Sequence, residues 1–533
     1  MSGWNLGELF RAVVDTVGER EAVVSGTTRL TYDALDARVN RLAHWLAHEG
    51  IGPGEHIGLA LRNGNEYLEA MLAAFTLGAV PVNVNTRYTT GELRYLFDDA
   101  DLRLVIHEPD LADAVTEAVG IDPGSPGRTL ARGRAYEAAL ASSEPGRPDL
   151  QGRSGDDRYI LYTGGTTGMP KGVVWRHEDI FHAAFGGGNP GGTPIDSLAD
   201  LAALARTGRV RCLPVSPFTH GTAHWTAFST LFGGGTVVVS CAPAFDPVSI
   251  WSLAEIEAVT LLVIVGDAFA RPLADALDRH GDRWDLSSLL LVVSGGAVLS
   301  PAVRQSLLAH LSSTVVVDGY GTSETGGHGH MAVWPGAADA GLPRFEVGDD
   351  TAVLDSHLDP VRPGSGDVGL VARRGPIPLR YHGDPDRSAI TFRSINGERW
   401  AVPGDLAIVE EDGRITLLGR GSGSINTGGE KVFPDEVEAT LKAHPAVFDA
   451  VVMGVSDERW GQRVTAVVQA RDDRPVDAGE LTRHCRSHLA PFKVPRQVVF
   501  VDELVRRSSG KPDYTWAAAV LARTVEGATA PTS

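Results

Sequence analysis

The apolar positions in the first part of the chain alternate between two periods. Apolar residues recur every three to four positions in residues 6–17, 35–46 and 66–77, which predicts amphipathic helices. Short apolar runs at residues 56–61 and 80–84 predict strands next to these helices. Because strand–helix–strand units of this size form largely parallel sheets covered by helices, the pattern predicts an α/β fold class.

The pattern changes toward the C-terminus, where shorter segments predict a small α+β unit. These segments are a helix at 434–442, strands at 446–455 and 464–470, a helix near 481–489 and a strand at 497–501. Further upstream, apolar runs at 261–265 and 289–293 predict buried parallel strands of the larger part. Residues 525–533 are small and polar, so we predict a disordered tail there.

Length and composition indicate a globular protein with several domains. At 533 residues the chain exceeds one ordinary core, and a length prior gives roughly two to four domains or subdomains. The formal net charge of −19 opposes nonspecific binding to nucleic acid or to an anionic membrane. The sequence has three scattered cysteines, no recognisable signal segment and no apolar run of spanning length. We therefore expect a cytoplasmic protein without an integral membrane segment or a nucleic-acid partner.

A segment rich in glycine and threonine carries the strongest chemical signal. Residues 162–173 are YTGGTTGMPKGV, in which backbone N–H groups and hydroxyls can surround phosphate oxygens while Lys171 adds a cation. A P-loop lysine is followed by Ser or Thr, whereas here Pro170 precedes Lys171 and Gly172 follows it, which excludes that motif. The phosphate-binding candidates are Thr163, Gly164, Gly165, Thr166, Thr167 and Gly168.

With four further segments in order, this motif resembles the superfamily of acyl-CoA synthetases, peptide-synthetase adenylation domains and luciferase. Residues 318–325 (DGYGTSET) resemble its adenine and magnesium motif, and residues 404–405 (GD) followed by 418–420 (LGR) resemble its ribose clamp. Residues 424–432 (SINTGGEKV) resemble the loop after the domain hinge, and residues 509–511 (SGK) resemble the C-terminal catalytic lysine motif. The resemblance covers nearly the whole chain.

The resemblance implies a site that binds ATP together with Mg²⁺. Tyr320 offers a flat face for adenine, Ser323 offers a hydroxyl for the α-phosphate, and Glu324 is a hard oxygen ligand for Mg²⁺. Asp405 can accept hydrogen bonds from the ribose hydroxyls, and Arg420 can donate to the same sugar. The other nucleotide-binding positions that the resemblance implies are Gly296, Ala297, Asp318, Gly319 and Gly321.

The resemblance also implies four catalytic residues, which are Lys511, Lys171, Glu324 and His220. Lys511 would reach into the cleft and contact the carboxylate of the acid and the α-phosphate. It need not act as a base, because a carboxylate is already ionised at pH 7. Its work is to orient the nucleophile and to hold negative charge. His220 lies in residues 217–221 (PFTHG), which resemble the segment that carries the gate residue of the acyl pocket.

Two half-reactions imply a mobile C-terminal domain. In the family that the chain resembles, the small domain rotates after AMP is installed, so that a different face of the site forms the thioester. We predict an N-terminal domain at 1–420, a hinge at 421–423 and a C-terminal domain at 424–524. The pivot is Ser422, where members usually carry Asp or Lys. The residues that would approach the coenzyme A tunnel are Gly428, Gly429 and Lys431.

Three further segments resemble one subfamily and bear on the identity of the acid substrate. Residues 170–181, 266–272 and 510–514 resemble steroid side-chain and very-long-chain acyl-CoA ligases. An unpaired polar group buried against an alkyl chain costs about 1–3 kcal/mol, so polar side chains in the acyl pocket matter. If neighbours satisfy them, the pocket suits an apolar acid; otherwise they favour a polar, aromatic or small acid. The residues expected near this pocket are His224, His328, His330 and Gly295.

The sequence thus predicts an AMP-forming ligase that uses ATP, Mg²⁺ and coenzyme A on a small-molecule acid, as a monomer or homodimer. One alternative keeps adenylation and changes the acceptor. An ATP-dependent diazotase adenylates nitrite and passes it to an aryl amine, and other relatives use an amine or a carrier-protein thiol. A nucleotide-sensing scaffold of the same fold would predict damage at Lys171, Glu324 or Lys511, and all three residues are intact.

Overall fold

The computed structural model describes most of the chain. The described residues are 4–119, 129–149, 152–163, 169–187, 189, 192–242, 244–337, 343–420, 423–427, 430–457, 460–472, 474–507 and 510–528. For residues 282, 420, 431 and 524–528 the description covers the backbone alone. Across these ranges we find no helix that is both long enough and apolar enough to cross a bilayer.

The strands are numbered in chain order. Those of the N-terminal part are β1 (Glu21–Ser25), β2 (Thr28–Thr31), β3 (His56–Ala60), β4 (Val80–Asn83), β5 (Leu102–His107), β6 (Thr129–Ala131), β7 (Arg158–Thr163), β8 (Lys171–Arg176), β9 (Arg211–Pro214), β10 (Thr236–Val239), β11 (Leu261–Ile264), β12 (Leu291–Gly295), β13 (Val315–Thr322), β14 (Gly326–Val333), β15 (Arg344–Val347), β16 (Thr351–Leu354), β17 (Val368–Arg374), β18 (Arg380–Tyr381), β19 (Phe392–Ile395), β20 (Glu398–Ala401), β21 (Asp405–Val409) and β22 (Ile415–Arg420). Those of the C-terminal part are β23 (Ile425–Thr427), β24 (Glu430–Val432), β25 (Val447–Asp457), β26 (Gly461–Ala470) and β27 (Gln497–Val501).

The helices are numbered in the same way. They are α1 (Leu6–Val17), α2 (Tyr32–His48), α3 (Asn65–Leu77), α4 (Thr90–Asp99), α5 (Ala112–Val119), α6 (Arg134–Ala141), α7 (His177–Ala183), α8 (Leu198–Thr207), α9 (Gly221–Phe232), α10 (Pro247–Ile256), α11 (Gly266–His280), α12 (Pro301–His310), α13 (Pro385–Thr391), α14 (Pro434–Lys442), α15 (Ala478–His488) and α16 (Tyr514–Ala528). Short 3₁₀ turns lie at Pro109–Leu111 and Gly281–Arg283.

The early helices form where the apolar pattern predicts them, because each has one buried face and a polar cap. Thr31 caps α2 by accepting a hydrogen bond from the backbone N–H of Ala34 at 3.1 Å. The apolar positions of this helix, including Leu35, Leu42 and Leu46, are fully buried. The predicted helices and strands of the first part of the chain are thereby confirmed, with boundaries that move by no more than three residues.

A seven-stranded sheet contains the phosphate-motif strands. Its order is β18–β8–β7–β4–β3–β5–β6. Strands β7, β4, β3, β5 and β6 pair in parallel, whereas β8 and β18 are antiparallel additions at one edge. The two strands that flank the motif, β7 and β8, are therefore antiparallel neighbours, and the motif forms the connection between them.

The larger sheet is only half parallel. Its order is β19–β20–β17–β21–β22–β15–β14–β13–β12–β11–β9–β10–β1–β2, with β16 beside β17. The run from β1 through β10, β9, β11 and β12 to β13 is parallel, as the sequence predicts. From β14 to β22 the pairs are antiparallel, an arrangement that the apolar pattern did not predict. The α/β fold class is confirmed.

One predicted strand differs in a way that matters for the site. The run at 289–293 was expected to be a buried strand, but β12 begins at Leu291 and one of its faces is partly open. Leu290 is 55% exposed and Leu291 is 38% exposed, whereas Val292 is fully buried. The apolar residues on the open face therefore border free space rather than a covering helix.

The C-terminal unit has its own sheet and core. Strands β24–β23–β26–β25 form this sheet, with β27 parallel to β26, and α14 and α15 pack on it. The tail prediction needs correction, because α16 continues through Ala528 rather than ending before residue 525. Ala517 and Leu521 of this helix are 0% and 4% exposed against β25 and β26, so the helix is anchored. Residues 529–533 lie outside the described residues.

Candidate active site

A large cavity lies where the carboxyl ends of the parallel strands β12 and β13 meet the C-terminal unit. Its volume is about 1930 Å³. Ligands of open α/β sheets bind outside the carboxyl ends of the strands, and this cavity has that position. The cavity brings together many of the predicted site residues. Those that line it are Thr163, His220, Gly295, Gly296, Ala297, Asp318, Gly319, Tyr320, Gly321, Ser323, Glu324, His328, His330, Asp405 and Lys511.

Several predicted positions lie outside the described residues and stay predictions. They are Gly164, Gly165, Thr166, Thr167, Gly168, Ser422, Gly428 and Gly429, together with the side chains of Arg420 and Lys431. The backbone of Arg420 is described, and the register of β21 with β22 places it directly opposite Asp405. The two predicted ribose ligands are therefore neighbours across one strand pair.

Lys171 and Glu324 meet at a tyrosine that the sequence analysis missed. Nζ of Lys171 lies 3.2 Å from Oε1 of Glu324 and donates to the hydroxyl of Tyr381 at 2.9 Å. That hydroxyl donates in turn to Oε1 of Glu324 at 2.8 Å, and the ammonium lies 4.2 Å from the centroid of the tyrosine ring. Tyr381 is 1% exposed. The tyrosine thus joins the predicted phosphate cation and the predicted metal ligand in one cluster.

Tyr381 reaches this cluster on a two-residue strand. β18 pairs antiparallel with β8 in a register that places Tyr381 opposite Val173. Trp175 of β8 donates from Nε1 to the carbonyl of Ser323 at 3.1 Å. β8 therefore connects the strand of Tyr381 with the segment that carries Glu324. A strand this short has no periodic pattern, which explains why the sequence did not reveal the tyrosine.

The side chains at the cavity could bind a magnesium ion only if a bound nucleotide supplied further oxygen ligands. Within the described ranges, no group of three or more His, Cys, Asp or Glu side chains could hold a metal by itself. Mg²⁺ commonly uses one or two carboxylates together with phosphate oxygens and water. Glu324 supplies one such carboxylate at the cavity wall. It would hold the ion against the phosphates, where the ion would neutralise negative charge.

Replacing Tyr381 with phenylalanine is expected to weaken binding of ATP with Mg²⁺ roughly tenfold, because Glu324 loses a charge-assisted hydrogen bond that orients its carboxylate. Titration calorimetry with ATP, in Mg²⁺ and in EDTA, measures the change. The matched control is Tyr32→Phe, since Tyr32 is fully buried and its hydroxyl donates to the carbonyls of Leu231 and Gly235 instead. An equal loss with and without Mg²⁺ would contradict a role toward the ion.

The predicted adenine and ribose residues contact each other. The hydroxyl of Tyr320 donates to Oδ2 of Asp405 at 3.1 Å. The Tyr320 ring contacts two others, with its centroid 4.5 Å from that of His328 and 5.7 Å from that of Phe345. These contacts hold the tyrosine ring in place beside the predicted sugar ligand.

Two glycines, Gly295 and Gly296, line the cavity at the end of β12, beside the strand that carries Tyr320. A Cβ at Gly295 would lie 3.4 Å from the carbonyl oxygen of Gly319 and 3.9 Å from Cγ2 of Thr222. Gly296 has a φ of +89°, a conformation that side chains rarely adopt, and a Cβ there would lie 3.1 Å from Oγ1 of Thr222. The conformation of Gly296 therefore favours glycine where the chain passes along the cavity, whereas a Cβ at Gly295 would make only ordinary van der Waals contacts.

Lys511 extends from a hairpin of the C-terminal unit to the cavity. The backbone N–H of Arg507 donates to the carbonyl of Lys511 at 3.0 Å, and Gly510 turns the hairpin with a φ of +75°. Burial, together with the cationic side chains of Lys511 and Arg87, lowers the pKa of His220 to about 4. His220 is therefore neutral at pH 7, and the ammonium of Lys511 lies on its side of the cavity.

The three histidines of the predicted acyl pocket occupy three different environments. The prediction is wrong for His224, which is fully buried behind the wall; its Nδ1 lies 2.7 Å from the Phe218 carbonyl and its Nε2 contacts the Tyr159 hydroxyl. His328 lies against Tyr320, and burial together with Arg373 lowers its pKa to about 3. The side chain of His330 is 60% exposed, 3.9 Å from Glu346. No sequence pattern indicates this separation, because it depends on how α9, which carries His224, and β14, which carries His328 and His330, pack in the fold.

Comparison with known proteins agrees with this geometry. Residues 10–380 match the AMP-binding enzyme family, and residues 436–511 match the AMP-binding enzyme C-terminal domain. The chain is 45% identical over 531 residues to the 3-oxocholest-4-en-26-oate–CoA ligase of Rhodococcus rhodochrous, covering 96% of this chain and 95% of that protein. It is 46% identical over 529 residues to the medium/long-chain-fatty-acid–CoA/3-oxocholest-4-en-26-oate–CoA ligase of Mycobacterium tuberculosis, covering 96% and 95%.

The fold is also similar to a solved structure. ATP-bound MatB from Rhodopseudomonas palustris superposes with a TM-score of 0.79 at 27% identity, covering 98% of this chain and 99% of that chain. The family match spans both the large part and the C-terminal unit. The motifs at 162–173, 318–325 and 509–511 lie in the matched residues, and those at 404–420 and 424–432 lie between the two matches. The chain therefore belongs to the AMP-binding enzyme family.

Proposed function

We propose that the protein joins an extended apolar carboxylic acid to coenzyme A, through an acyl-AMP intermediate made from ATP. The observation that carries this proposal is one cavity that reaches from Lys511, Glu324 and Asp405 to an open apolar face of the larger sheet. Two relatives that resemble the chain along its length are named for a steroid acid and for fatty acids, which supports the same class of substrate.

The open face of β12 and β13 supplies an apolar wall. Leu291 and Val293 lie two positions apart on β12, and Val317 lies on β13 directly opposite Val293. Side chains two positions apart share one face of a strand, and all three residues line the cavity. Gly295 and Gly319 continue this face toward the adenine motif without side chains. The wall therefore has room and apolar surface for a long acyl group.

Helix α9 supplies a further wall, on which Trp225 and Thr226 already have hydrogen-bond partners within the protein. Thr222, Trp225, Thr226 and Ser229 line the cavity at the spacing of one helical face. Oγ1 of Thr226 donates to the carbonyl of Thr222 at 2.7 Å, and Nε1 of Trp225 donates to the Tyr159 hydroxyl at 3.3 Å. An apolar acid along this wall would leave these groups satisfied, so it avoids the desolvation cost that a polar-lined pocket imposes.

The first step is nucleophilic substitution at phosphorus. A carboxylate oxygen of the acid attacks the α-phosphorus of ATP, and the bond to the bridging oxygen breaks as pyrophosphate leaves. Lys511 orients the carboxylate and stabilises the charge on the α-phosphate, while Lys171 faces the outer phosphates. Asp405 and Tyr320 hold the nucleoside. The neutral imidazole of His220 bounds the acyl site without adding a competing charge.

The second step is acyl transfer. The coenzyme A sulfur, as thiolate, attacks the acyl carbonyl carbon, and AMP leaves with its oxygen. The site must then present a path for the thiol, which in this proposal opens when residues 424–524 rotate about the hinge at 421–423, with Ser422 as its pivot. Gly428, Gly429 and Lys431 would border that path, and 1–420 would remain fixed.

The test of this proposal is pyrophosphate release with a panel of acids. The protein is supplied with ATP, Mg²⁺ and either a medium- or long-chain fatty acid, a steroid side-chain acid or benzoate, with and without coenzyme A. We expect release and thioester formation with the extended apolar acids and little with benzoate. Release without thioester would contradict coenzyme A as acceptor. An arm with nitrite and an aryl amine tests the diazotase alternative, which the names of the relatives do not favour.

Replacing Val317 with aspartate is expected to lower kcat/KM for a long-chain acid about tenfold or more, because a carboxylate on the acyl wall opposes burial of the chain. Val315→Asp is the matched control, since Val315 lies on the same face of β13 two positions away and is absent from the cavity lining. Initial rates across fatty acids of increasing length measure the effect. A uniform loss that includes the shortest acids would contradict this placement of the acyl group.

A further inference from the structure

The segment 266–272 has a place in the structure that its resemblance to a ligase subfamily does not explain. It forms the first turns of α11, directly after β11, and it faces the C-terminal unit rather than the cavity. Asp267 lies in the first turn, where its Oδ1 accepts from the backbone N–H of Ser300 at 2.7 Å. Its Oδ2 lies 3.0 Å from Nζ of Lys442 on α14. This ion pair therefore joins the two parts of the chain.

Both partners of the pair are buried. The side chains of Asp267 and Lys442 are each 3% exposed. The other charged groups around Lys442 are Asp435, Glu438, Asp449 and Arg506, which all belong to the C-terminal unit. Among the described residues, Asp267 is thus the charged group of the large part of the chain that pairs with Lys442.

Further residues of the same helix face also contact the C-terminal unit. The guanidinium of Arg271 lies 5.7 Å from the centroid of the Phe448 ring, and Asp275 lies 3.1 Å from Nη1 of Arg471. Residues 267, 271 and 275 follow each other at intervals of four, which places them in one row along α11. The row forms a docking strip for the C-terminal unit, with the ion pair at the end nearest the cavity.

The hairpin of Lys511 rests at the same end of the helix. A Cβ at Gly510 would lie 3.0 Å from the carbonyl oxygen of Val265 and 3.4 Å from Cε2 of Phe269. Within the hairpin, Arg506 donates to the carbonyl of Gly510 at 3.0 Å. Arg506 also donates to both carboxylate oxygens of Asp449 on β25, at 2.6 and 2.8 Å. The position of Lys511 is therefore coupled to how closely the C-terminal unit sits on the start of α11.

We propose that Asp267 and Lys442 are a positioning pair, which holds the C-terminal domain where Lys511 faces the cavity and so favours adenylation over thioester formation. The proposal rests on the two-step function proposed above. A rotation of residues 424–524 would separate the ammonium from the carboxylate, so the pair exists in only one of the two arrangements. A contact that is made in one state alone shifts the equilibrium toward that state.

Separate assays of the two half-reactions test the proposal. Asp267→Asn, Lys442→Met and the double variant are compared with the unaltered protein. Adenylation is followed as pyrophosphate release without coenzyme A, and acyl transfer as thioester formation from synthetic acyl-AMP and coenzyme A. We expect adenylation to fall about tenfold in each single variant while acyl transfer is unchanged or faster. The double variant should fall no further than the singles, because each single variant already breaks the contact between Asp267 and Lys442.

Lys493→Met is the matched control. Lys493 also pairs with a residue of α14, since its Nζ lies 2.7 Å from Glu436, but both partners belong to the C-terminal unit. It should leave the ratio of the two rates unaltered. If a single variant does not fold, the double variant still gives the test, because it leaves neither buried charge behind.

Two results would overturn the pair's role: equal loss in both half-reactions, or no change in either one. Failure of the proposed function itself is distinct, since the unaltered protein would then form no thioester from any acid of the panel. The ratio of the two rates in the variants bears on the positioning pair alone.

Discussion

Lys511→Ala is expected to slow acyl-AMP formation by about 10²–10³-fold, while thioester formation from supplied acyl-AMP stays largely intact. The ammonium lies at the cavity near His220, on the side where the carboxylate and the α-phosphate must meet. In the proposed mechanism it supplies positive charge where negative charge accumulates as the phosphorus becomes five-coordinate. Acyl transfer breaks a different bond, and in the proposed rotated arrangement it would not use this lysine.

Rapid-quench measurement of both half-reactions checks this expectation. Lys493→Ala is the control, because Lys493 is a lysine of the same unit that pairs with Glu436 away from the hairpin. Thermal unfolding of both variants should match that of the unaltered protein. Parallel losses in adenylation and in acyl transfer would contradict the assignment of Lys511 to the first step alone.

The sequence marks Lys511 as a candidate site residue, but it does not predict where the lysine lies in the fold. A short motif with glycine before the lysine is visible in the chain. The features that fix its position are contacts between distant residues, namely Gly510 against Val265 and Arg506 with Asp449. No local pattern records such contacts, because each depends on how the C-terminal unit docks on α11.

The same distinction separates Tyr320 from Tyr381. Tyr320 stands within a run of motif residues, so resemblance was enough to mark it. Tyr381 lies on a two-residue strand and enters the site only because β18 adds to the edge of β8. His224 shows the reverse error, since it is near the motif in sequence but its helix turns it into the core. Short motifs along the chain therefore marked Tyr320, but closeness to a motif in the sequence did not predict the direction in which the side chain of His224 points.

Asp318 illustrates a third case, in which a predicted ligand residue has a structural partner. It lies on β13 and borders the cavity, but its Oδ2 is 3.4 Å from Nη1 of Arg304 on α12. The two side chains are 4% and 0% exposed. The arginine was not singled out in the sequence, because a lone arginine on a helix is ordinarily exposed. Here it supports the strand that carries the adenine motif.

Arg304→Met is expected to lower the free energy of unfolding by about 3–5 kcal/mol, because it removes the guanidinium that faces a buried carboxylate. Urea denaturation measures the loss. The double variant Arg304→Met/Asp318→Asn should recover much of it, since the buried charge is then gone as well. A double variant as unstable as the single one would show that packing of Arg304, rather than its charge, supports the strand.

A second ion pair tests whether burial of the charges, rather than the distance between them, determines how much stability an arginine variant loses. Nη1 of Arg374 lies 2.6 Å from Glu398, closer than Arg304 lies to Asp318, but the two side chains are 42% and 57% exposed. Water solvates both charges in the unfolded and folded chain alike, so Arg374→Met should change stability by less than about 1 kcal/mol. If the two arginine variants lost equal stability, desolvation of Asp318 could not be the cause. A larger loss for the Arg304 variant would show that the buried pair of Arg304 with Asp318 stabilises the strand of the adenine motif, although its charges lie farther apart than those of Arg374 and Glu398.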